Sequence, residues 1–224
     1  MRSWVMATCL LLMLAGGGCS QEASVAEDAA PTQAAEALAP QGPLVVFLGD
    51  SLTAGYGLTE EEAFPARLAA ALREAGHPVR VVNAGVSGDT SAGGLRRLPW
   101  LLTQHPDVLV VALGANDGLR GLPVSLTEET LRGIVTQAKG AGARVLLLGL
   151  RLPPNLGADY LRAFEAVYPR VARETGVPLV PFFLEGVGGV AALNQEDGIH
   201  PTAEGQRRIA ATLLPYLEPL VQDR

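Results

Sequence analysis

The sequence predicts an α/β domain, a three-layer α/β/α sandwich around a five-stranded, mostly parallel sheet. Short apolar runs alternate with longer stretches in which apolar side chains recur at helical spacing, as in successive β-α-β units. The 224-residue chain is 48% hydrophobic but only 5% aromatic, which suits one aliphatic core. Helices that connect parallel strands cover both faces of the sheet, so we expect three layers.

The expected elements follow one another from residue 44 to residue 220. The strands are expected at Leu44–Gly49, Val79–Val82, Val108–Leu113, Val145–Leu150 and Val177–Phe182. The helices are expected at Glu61–Ala75, around Leu95–Leu102, from Thr127 to Gly140, at Tyr160–Ala172 and at Ala203–Leu220. Glycines such as Gly76 end several of the helical patterns. No fixed repeat and no internal boundary interrupts this region, so residues 44–224 are expected to form one domain.

The first 18 residues have the pattern of a signal peptide. Arg2 supplies the positive end, residues 4–15 are apolar, and three glycines precede Cys19. The apolar run is too short to span a bilayer permanently, so we expect export to the periplasm. Small residues before a cysteine resemble the lipobox of bacterial lipoproteins, although Gly16 replaces the usual leucine. Two outcomes stay open: lipidation of Cys19, which would anchor the protein to a membrane, or simple cleavage and secretion.

Composition predicts a linker after the leader and argues against a disulfide, a thiolate metal site and nucleic-acid binding in the domain. Residues 20–43 are rich in Ala, Glu, Gln and Pro, which predicts a flexible linker. The two cysteines, Cys9 and Cys19, lie in or at the leader, so the domain is expected to have neither a disulfide nor a thiolate metal site. A formal net charge of −6 without a basic run gives nucleic-acid binding no electrostatic support.

Polar residues cluster in the loops that are expected after the strands. Asp50 and Ser51 follow the first strand, residues 83–90 follow the second, residues 114–118 follow the third, and residues 197–201 precede the last helix. In a parallel sheet all these loops meet at one edge, which is where ligands bind. Ser51 is therefore a candidate nucleophile. Gly-Asp-Ser alone is weak support, because Asp and Ser commonly cap helices.

The residue types in these loops are those that acyl transfer needs. A serine hydroxyl needs a base, and the imidazole of His200 is suited to that role. Asp197, three residues earlier, can hold the other ring nitrogen. The developing oxyanion needs preset donors, which a glycine N–H, the N–H of Ser51 and the amide of Asn116 can supply.

Four sequence blocks resemble those of the SGNH, or GDSL, hydrolase family. They are Gly-Asp-Ser-Leu at 49–52, Ser-Gly-Asp-Thr at 87–90, Gly-Ala-Asn-Asp at 114–117 and Asp-Gly-Ile-His-Pro at 197–201. The resemblance implies a flavodoxin-like sandwich with Ser51 as nucleophile, Gly88 and Asn116 as oxyanion donors, and Asp197 with His200 completing a triad. Gly88 is preferred to Gly85 because it precedes Asp-Thr.

Within the family, the chain is most similar to the bacterial acyl-CoA thioesterase, lysophospholipase and arylesterase group. Residues 113–122, 151–155 and 168–169 carry this further resemblance. It implies a small ester, thioester or lysophospholipid substrate and no cofactor. Those relatives are soluble periplasmic proteins, so the lipid anchor and linker expected here are departures. We expect a monomer that meets a membrane only through that anchor.

Four leucines are expected to line an acyl site: Leu119, Leu122, Leu152 and Leu156. The alternative is ordinary burial against the sheet. Residues 118–123 are interpreted as a mobile wall of that site, with a plain surface loop as the alternative.

The remaining polar residues are interpreted as structural. Asp50, Asp89 and Asp117 are expected to bind backbone N–H groups and to shape their loops. His77 and His105 each precede a proline and are read as turn residues. With three scattered histidines in the chain, no metal site is expected.

Three hypotheses follow for function. The first is an exported serine esterase that cleaves carboxylic esters or thioesters through an acyl-enzyme. The second is a lipid-tethered binding protein without turnover, which would have no need for all five of the residues Ser51, Gly88, Asn116, Asp197 and His200. The third is a carbohydrate acetyl-esterase of the same family, which the leucine-rich loop disfavours.

Overall fold

The computed structural model describes residues 42–222. The predicted signal peptide, Cys19 and nearly all of the predicted linker lie outside the described residues.

The described residues contain one sheet of five parallel strands, as predicted. The strands are β1 (Leu44–Gly49), β2 (Arg80–Gly85), β3 (Val108–Ala112), β4 (Arg144–Leu148) and β5 (Leu179–Val180). Their order across the sheet is β2-β1-β3-β4-β5, and every neighbouring pair is parallel. The chain leaves β1 toward β2 on one side and returns to β3 on the other. Loops diverge at such a switch point and leave a crevice at the carboxyl ends of the strands.

The helices form two groups, which gives the predicted three layers. The helices are α1 (Ser51–Ala54), α2 (Phe64–Glu74), α3 (Ser91–Leu102), α4 (Ala115–Leu119), α5 (Val124–Gly140), α6 (Ala158–Glu165), α7 (Val167–Thr175) and α8 (Ala203–Gln222). Short 3-10 helices occur at Glu60–Glu62, Pro154–Leu156 and Ala191–Leu193. Helix α2 packs on α8, whereas α5 packs between α3 and α7. Across residues 42–222, none of the helices is both long and apolar enough to cross a membrane.

The central strands are apolar because both of their faces are covered. Every residue of β1 and of β3 is buried, whereas the edge strand β2 is only partly buried. Phe47, on β1, meets Phe64 of α2 edge to face, with ring centroids 5.7 Å apart. The polar loops after β1 and β3 therefore follow strands that are buried in the core.

Several elements differ from the predicted ones by up to four residues at their ends, as in β2, which continues to Gly85 instead of Val82. Proline explains two further differences. The predicted fifth strand is reduced to Leu179–Val180 because Pro178 and Pro181 flank it and cannot donate ladder hydrogen bonds. The helix predicted at 160–172 is divided at Ala166 into α6 and α7. Pro169 fits the first turn of α7, where no backbone donor is needed, but it cannot continue the hydrogen bonds of α6.

The first long helix also differs from the prediction. It begins at Phe64 instead of residue 61, because a 3-10 turn at Glu60–Glu62 precedes it. Thr59 and Glu62 form a capping box around that turn. Glu61 and Glu62, which are predicted to start the helix, therefore lie in the turn before it.

Candidate active site

Ser51 lies at a sharp turn between β1 and α1. Asp50 caps α1, since its Oδ1 accepts the N–H of Leu52 at 3.0 Å, and Ser51 is the first helical residue. A Cβ at Gly49 would lie 1.9 Å from Oγ1 of Thr53, so the turn closes only with glycine there. The half-buried hydroxyl of Ser51 faces a cavity at the carboxyl edge of the sheet.

His200 lies between Ser51 and Asp197. Its Nε2 is 2.9 Å from Oγ of Ser51, and its Nδ1 is 2.6 Å from Oδ2 of Asp197. With a proton on Nδ1, the ring donates to the carboxylate and accepts the hydroxyl proton of Ser51. The imidazole side chain is only 16% exposed, so it is held mainly by protein contacts. This arrangement can remove a proton from the serine and stabilise the charged ring that results.

Local hydrogen bonds keep Asp197 ionised. Its Oδ1 accepts the backbone N–H groups of Ile199 and His200, each at 3.0 Å. The backbone N–H of His200, followed by its side chain and the N–H of Ile199, lowers the pKa of Asp197 to about 2. Although this carboxylate is 39% exposed, it therefore carries its charge throughout the neutral range.

Two residues that the sequence did not point to support the histidine loop. The ring of Tyr56 packs on His200, with centroids 4.5 Å apart and an angle of 34°. Gln195 spans the loop, since its Nε2 donates to the carbonyls of Tyr56 and Pro201 at 2.7 and 3.0 Å. Tyr56 and His200 lie 144 positions apart, and no local pattern marks their contact.

The loop after β2 presents the backbone of Gly88. Asp89 N–H donates to the carbonyl of Val86 at 3.0 Å, and Gly88 lies at a φ of 80°, which favours glycine. The N–H of Gly88 has no acceptor within residues 42–222. It is therefore available to a ligand in the cavity that Gly88 and Ser51 both line.

Asn116 enters the same cavity from α4. One hydrogen of its Nδ2 is engaged by the carbonyl of Asp89, at 2.9 Å. The second hydrogen is left for another acceptor. The helix starts after Gly114, whose φ is 117° and where a Cβ would lie 2.3 Å from the hydroxyl of Tyr168. The sequence-predicted residues Ser51, Gly88, Asn116 and His200 thus line one cavity.

The three loop aspartates bind backbone N–H groups, as predicted. Besides the cap that Asp50 provides for Leu52, Asp89 accepts the N–H of Thr90 at 3.1 Å. Asp117 accepts the N–H and the hydroxyl of Ser91, at 2.8 and 2.5 Å. Asp50 and Asp89 therefore shape their own loops, and Asp117 holds the start of helix α3.

Asp50 is the most unusual of these carboxyl groups. It is completely buried, and its Oδ2 has no partner among the described residues. Burial is the main cause that raises the pKa of Asp50 to about 6, against the lowering effect of the Leu52 N–H and of His200. Ionisation of this buried carboxyl group costs considerable desolvation free energy, which is why its pKa is raised.

The cavity has a volume of about 610 Å³ and is mainly apolar away from the serine. Leu119 and Leu152 line it, as predicted from the leucine-rich segments, together with Leu150, Phe182 and Leu184. Leu122 and Leu156 are not among its lining residues, which corrects two of the four expected positions. The carbonyl of Leu122 instead accepts the Tyr160 hydroxyl at 2.8 Å, so this residue lies on the α6 side of its loop. Leu156 ends the 3-10 helix that leads into α6.

The segment 118–123 is more regular than the sequence indicated. Helix α4 continues to Leu119, and the N–H groups of Arg120, Gly121 and Leu122 all donate to carbonyls of the helix. The segment is therefore a hydrogen-bonded helix end on one wall of the cavity. Its movement stays a prediction.

The other two histidines lie away from the cavity. Nε2 of His77 is 3.5 Å from Glu218 of α8, and His105 occupies the turn between α3 and β3 with a φ of 51°. Among the residues described, no group of three or more His, Cys, Asp or Glu side chains is placed to hold a metal ion.

Comparisons with known proteins find esterases and thioesterases among the relatives of this chain. The chain is 47% identical to esterase TesA of Pseudomonas aeruginosa over 178 residues, which is 79% of this chain and 89% of that protein. A crystal structure of TesA superimposes with a TM-score of 0.77 and covers 79% of this chain and 99% of the solved chain. The chain is also 48% identical over 178 residues to thioesterase 1/protease 1/lysophospholipase L1 of Escherichia coli K12, covering 79% and 84% of the two chains.

A third relative was crystallised in an inhibited form. It is the psychrotrophic esterase EstA of a Pseudoalteromonas species, inhibited by monoethylphosphonate, with a TM-score of 0.76 at 33% identity over 81% of this chain and all of the solved one. The family model of the GDSL-like lipases and acylhydrolases matches residues 47–208, which include all four sequence blocks. The chain therefore belongs to the GDSL-like lipase/acylhydrolase family and is an ester-hydrolysing enzyme.

Proposed function

We propose that the protein is an exported serine esterase that hydrolyses carboxylic esters or thioesters through an acyl-enzyme on Ser51. The observation that carries this proposal is the pair of contacts at His200: 2.9 Å to Oγ of Ser51 and 2.6 Å to the carboxylate of Asp197. A binding protein would need neither contact. Together they form the arrangement that activates a serine.

Acylation begins when Oγ of Ser51 attacks the carbonyl carbon of the substrate and its proton passes to Nε2 of His200. The ionised Asp197 stabilises the imidazolium that forms. The N–H groups of Ser51 and Gly88 and the free hydrogen on Asn116 donate to the oxyanion. The bond to the leaving oxygen or sulfur then breaks, and the imidazolium returns its proton to that atom.

Deacylation repeats these steps with water as the nucleophile. His200 takes one proton of the water, whose oxygen attacks the acyl carbon. Collapse of the second tetrahedral intermediate breaks the bond to Ser51, and the serine recovers its proton from His200. The products are a carboxylic acid and the alcohol or thiol released earlier.

The substrate class follows from the cavity and from the relatives. An apolar cavity of about 610 Å³ beside the serine suits an acyl chain better than a sugar, which would need polar partners. The Escherichia coli relative is named a thioesterase and a lysophospholipase. We therefore assign acyl esters, acyl thioesters and lysophospholipids as the substrates to test.

The first test is covalent labelling with a fluorophosphonate at neutral pH, read by intact mass on protein purified from the full-length chain. The Pseudoalteromonas esterase is inhibited by a phosphonate, which supports this choice of probe. One adduct is expected on the parent, none on Ser51→Ala, and much slower labelling on His200→Ala. A folded parent that takes up no label would overturn the proposal.

A chain-length series tests the substrate class. Rates with 4-nitrophenyl acetate, butyrate, octanoate and decanoate are compared with release of acetate from acetylated xylan. An increase in kcat/KM with chain length and no acetate release are expected. Preference for the acetylated sugar would point to the carbohydrate esterase hypothesis instead.

Export and lipidation are a separate proposal, based on the leader sequence. We expect periplasmic activity in cells that express the full chain, and incorporation of labelled palmitate that Cys19→Ala abolishes. Periplasmic protein that takes up no palmitate would leave cleavage and secretion as the route. Protein that stays in the cytoplasm with an intact leader would contradict both.

A further inference from the structure

Arg97, on α3, makes three contacts at the carboxyl edge of the sheet. Its Nε donates to Oδ2 of Asp89 at 2.8 Å, its Nη1 to the carbonyl of Ala84 at 2.6 Å, and its Nη2 to the carbonyl of Gly49 at 2.8 Å. Gly49 ends β1 and Ala84 lies near the end of β2, where the two strands are paired. One guanidinium therefore joins the segment before Ser51 to the segment before Gly88.

The contact with Asp89 determines how the Gly88 loop is held. The side chains of Arg97 and Asp89 are only 23% and 13% exposed, so this ion pair is poorly screened by water. The loop has further contacts, since the N–H of Val86 donates to the carbonyl of Gly49 at 3.0 Å and Nη2 of Arg120 makes an exposed contact with the carbonyl of Gly88. Asp89 is thus the side chain through which Arg97 holds this loop to helix α3.

The same loop positions the side chain of Asn116. The carbonyl of Asp89 accepts one hydrogen of the Asn116 amide at 2.9 Å, which orients the other hydrogen. Displacement of Asp89 would therefore shift the backbone N–H of Gly88 and the amide of Asn116 together. Arg97 itself is not among the residues that line the cavity, so it can act only through these groups.

We infer that Arg97 is a positioning residue that sets the geometry of the oxyanion donors and thereby stabilises the transition state. This inference rests on the proposed function. Arginine suits the role because its planar group presents separate N–H donors in fixed directions, which a lysine does not. The Ser51, His200 and Asp197 contacts do not pass through Arg97, so the proton transfer itself is left in place.

The test compares Arg97→Met and Arg97→Lys with the parent, using 4-nitrophenyl butyrate well below the melting temperature of each protein. We expect kcat to fall about 100-fold for Arg97→Met and about 10-fold for Arg97→Lys, which keeps the positive charge but not the planar set of N–H donors. KM is expected to stay within about two-fold, and the shape of the pH profile to stay unchanged. Arg132→Met removes contacts with Glu128 and Glu174, none of which lines the cavity, so this matched control should leave kcat unchanged.

A double-variant cycle with Asn116→Ala separates positioning from a general loss of stability. If Arg97 acts partly by placing Asn116, Arg97→Met should cost no more than about 10-fold in the Asn116→Ala background. Independent effects would multiply in full. If Arg97→Met does not fold, Arg97→Lys and Asp89→Asn are compared in the same cycle.

Three results would overturn the inference: a kcat of the arginine variants within two-fold of the parent, a loss confined to KM, or full multiplication with Asn116→Ala. Fluorophosphonate labelling of the parent separates the failures. A parent that is labelled while the arginine variants behave as the parent refutes the role of Arg97 alone. A parent that is not labelled refutes the proposed function.

Discussion

The two sides of the site are built differently. Ser51, Gly88 and Asn116 follow β1, β2 and β3, so their positions are set by buried strands and by hydrogen bonds between the loops. Asp197 and His200 belong to an exposed loop before α8, which is held by an isolated bridge between Asn194 and Pro201 and by the side chain of Gln195. The strand side depends on the core, whereas the loop side depends on hydrogen bonds within the loop and on its contacts with Tyr56. Substitutions can therefore be chosen that act mainly on one side.

The largest loss of activity is expected from substitution of Ser51 or His200, which lie on opposite sides of the site and should act as one catalytic unit. Ser51→Ala and His200→Ala should each lower kcat/KM by at least about 10⁴-fold, and the double variant should be little worse than either. Steady-state hydrolysis of 4-nitrophenyl butyrate measures this. Ser125→Ala, at an exposed position of α5, is the control and should be unaffected. Full multiplication of the two losses would mean that serine and histidine act separately.

The second effect isolates the strand side. Asn116→Ala should lower kcat by about 10²- to 10³-fold with little change in KM, because a donor to the oxyanion matters chiefly in the transition state. Gln137→Ala removes an exposed amide from α5 and should leave both constants unchanged. A loss in KM alone would place Asn116 in ground-state binding instead.

The third effect concerns stability on the strand side. Because the pKa of Asp50 is raised to about 6 in the fold, the folded protein binds more protons than the unfolded chain between pH 4 and 6. The contribution of Asp50 to stability is therefore greatest in acid and is lost as pH rises through 6. Asp50→Asn should remove this loss, so its free energy of unfolding should gain up to about 3 kcal/mol on the parent between pH 4 and 6.5.

The loop side should show the opposite dependence. The pKa of Asp197 is lowered to about 2, so its contribution is present above pH 4 and is lost as pH falls toward 2. Urea unfolding across this pH range measures both trends. Asp159→Asn, at a fully exposed position of α6, is the control for Asp50→Asn and should track the parent. A constant difference between Asp50→Asn and the parent would mean that burial does not perturb this carboxyl.

The fourth effect tests the apolar wall. Leu119→Ala should lower kcat/KM for 4-nitrophenyl decanoate about 10-fold more than for the acetate, because burial of the chain against Leu119 is lost. Leu122→Ala is the matched control, since this leucine does not line the cavity. Equal losses in the two leucine variants would contradict the assignment of the wall.

The smallest effect sharpens the loop side. Tyr56→Ala should lower kcat several-fold, because the ring that packs on His200 is lost, whereas Tyr56→Phe should retain nearly full activity. Kinetics of the two variants at pH 7.5 distinguish ring packing from a role of the hydroxyl. A fall in kcat for Tyr56→Phe as large as that for Tyr56→Ala would indicate that the hydroxyl takes part in the reaction.

The sequence predicted the candidate reacting residues of both sides, but not the residues that support them. Ser51 and Asn116 follow apolar runs whose pattern is local, so their meeting at one edge follows from the parallel sheet alone. Tyr56, Gln195 and Arg97 act through contacts that cross the chain, and no local periodicity encodes such contacts. Leu122 and Leu156 have suitable side chains, but the direction of a loop residue depends on turns that composition does not specify.

The closed turn before Ser51 has a consequence for mutational tolerance. Gly49 has no space for even a methyl group beside Thr53, whereas Ser51 itself opens into the cavity. In a saturation library sorted for soluble protein, position 51 should accept many residues and position 49 almost none. The side chain to which we assign the chemistry would then be the replaceable one, and the glycine without a side chain would be the residue that the fold requires.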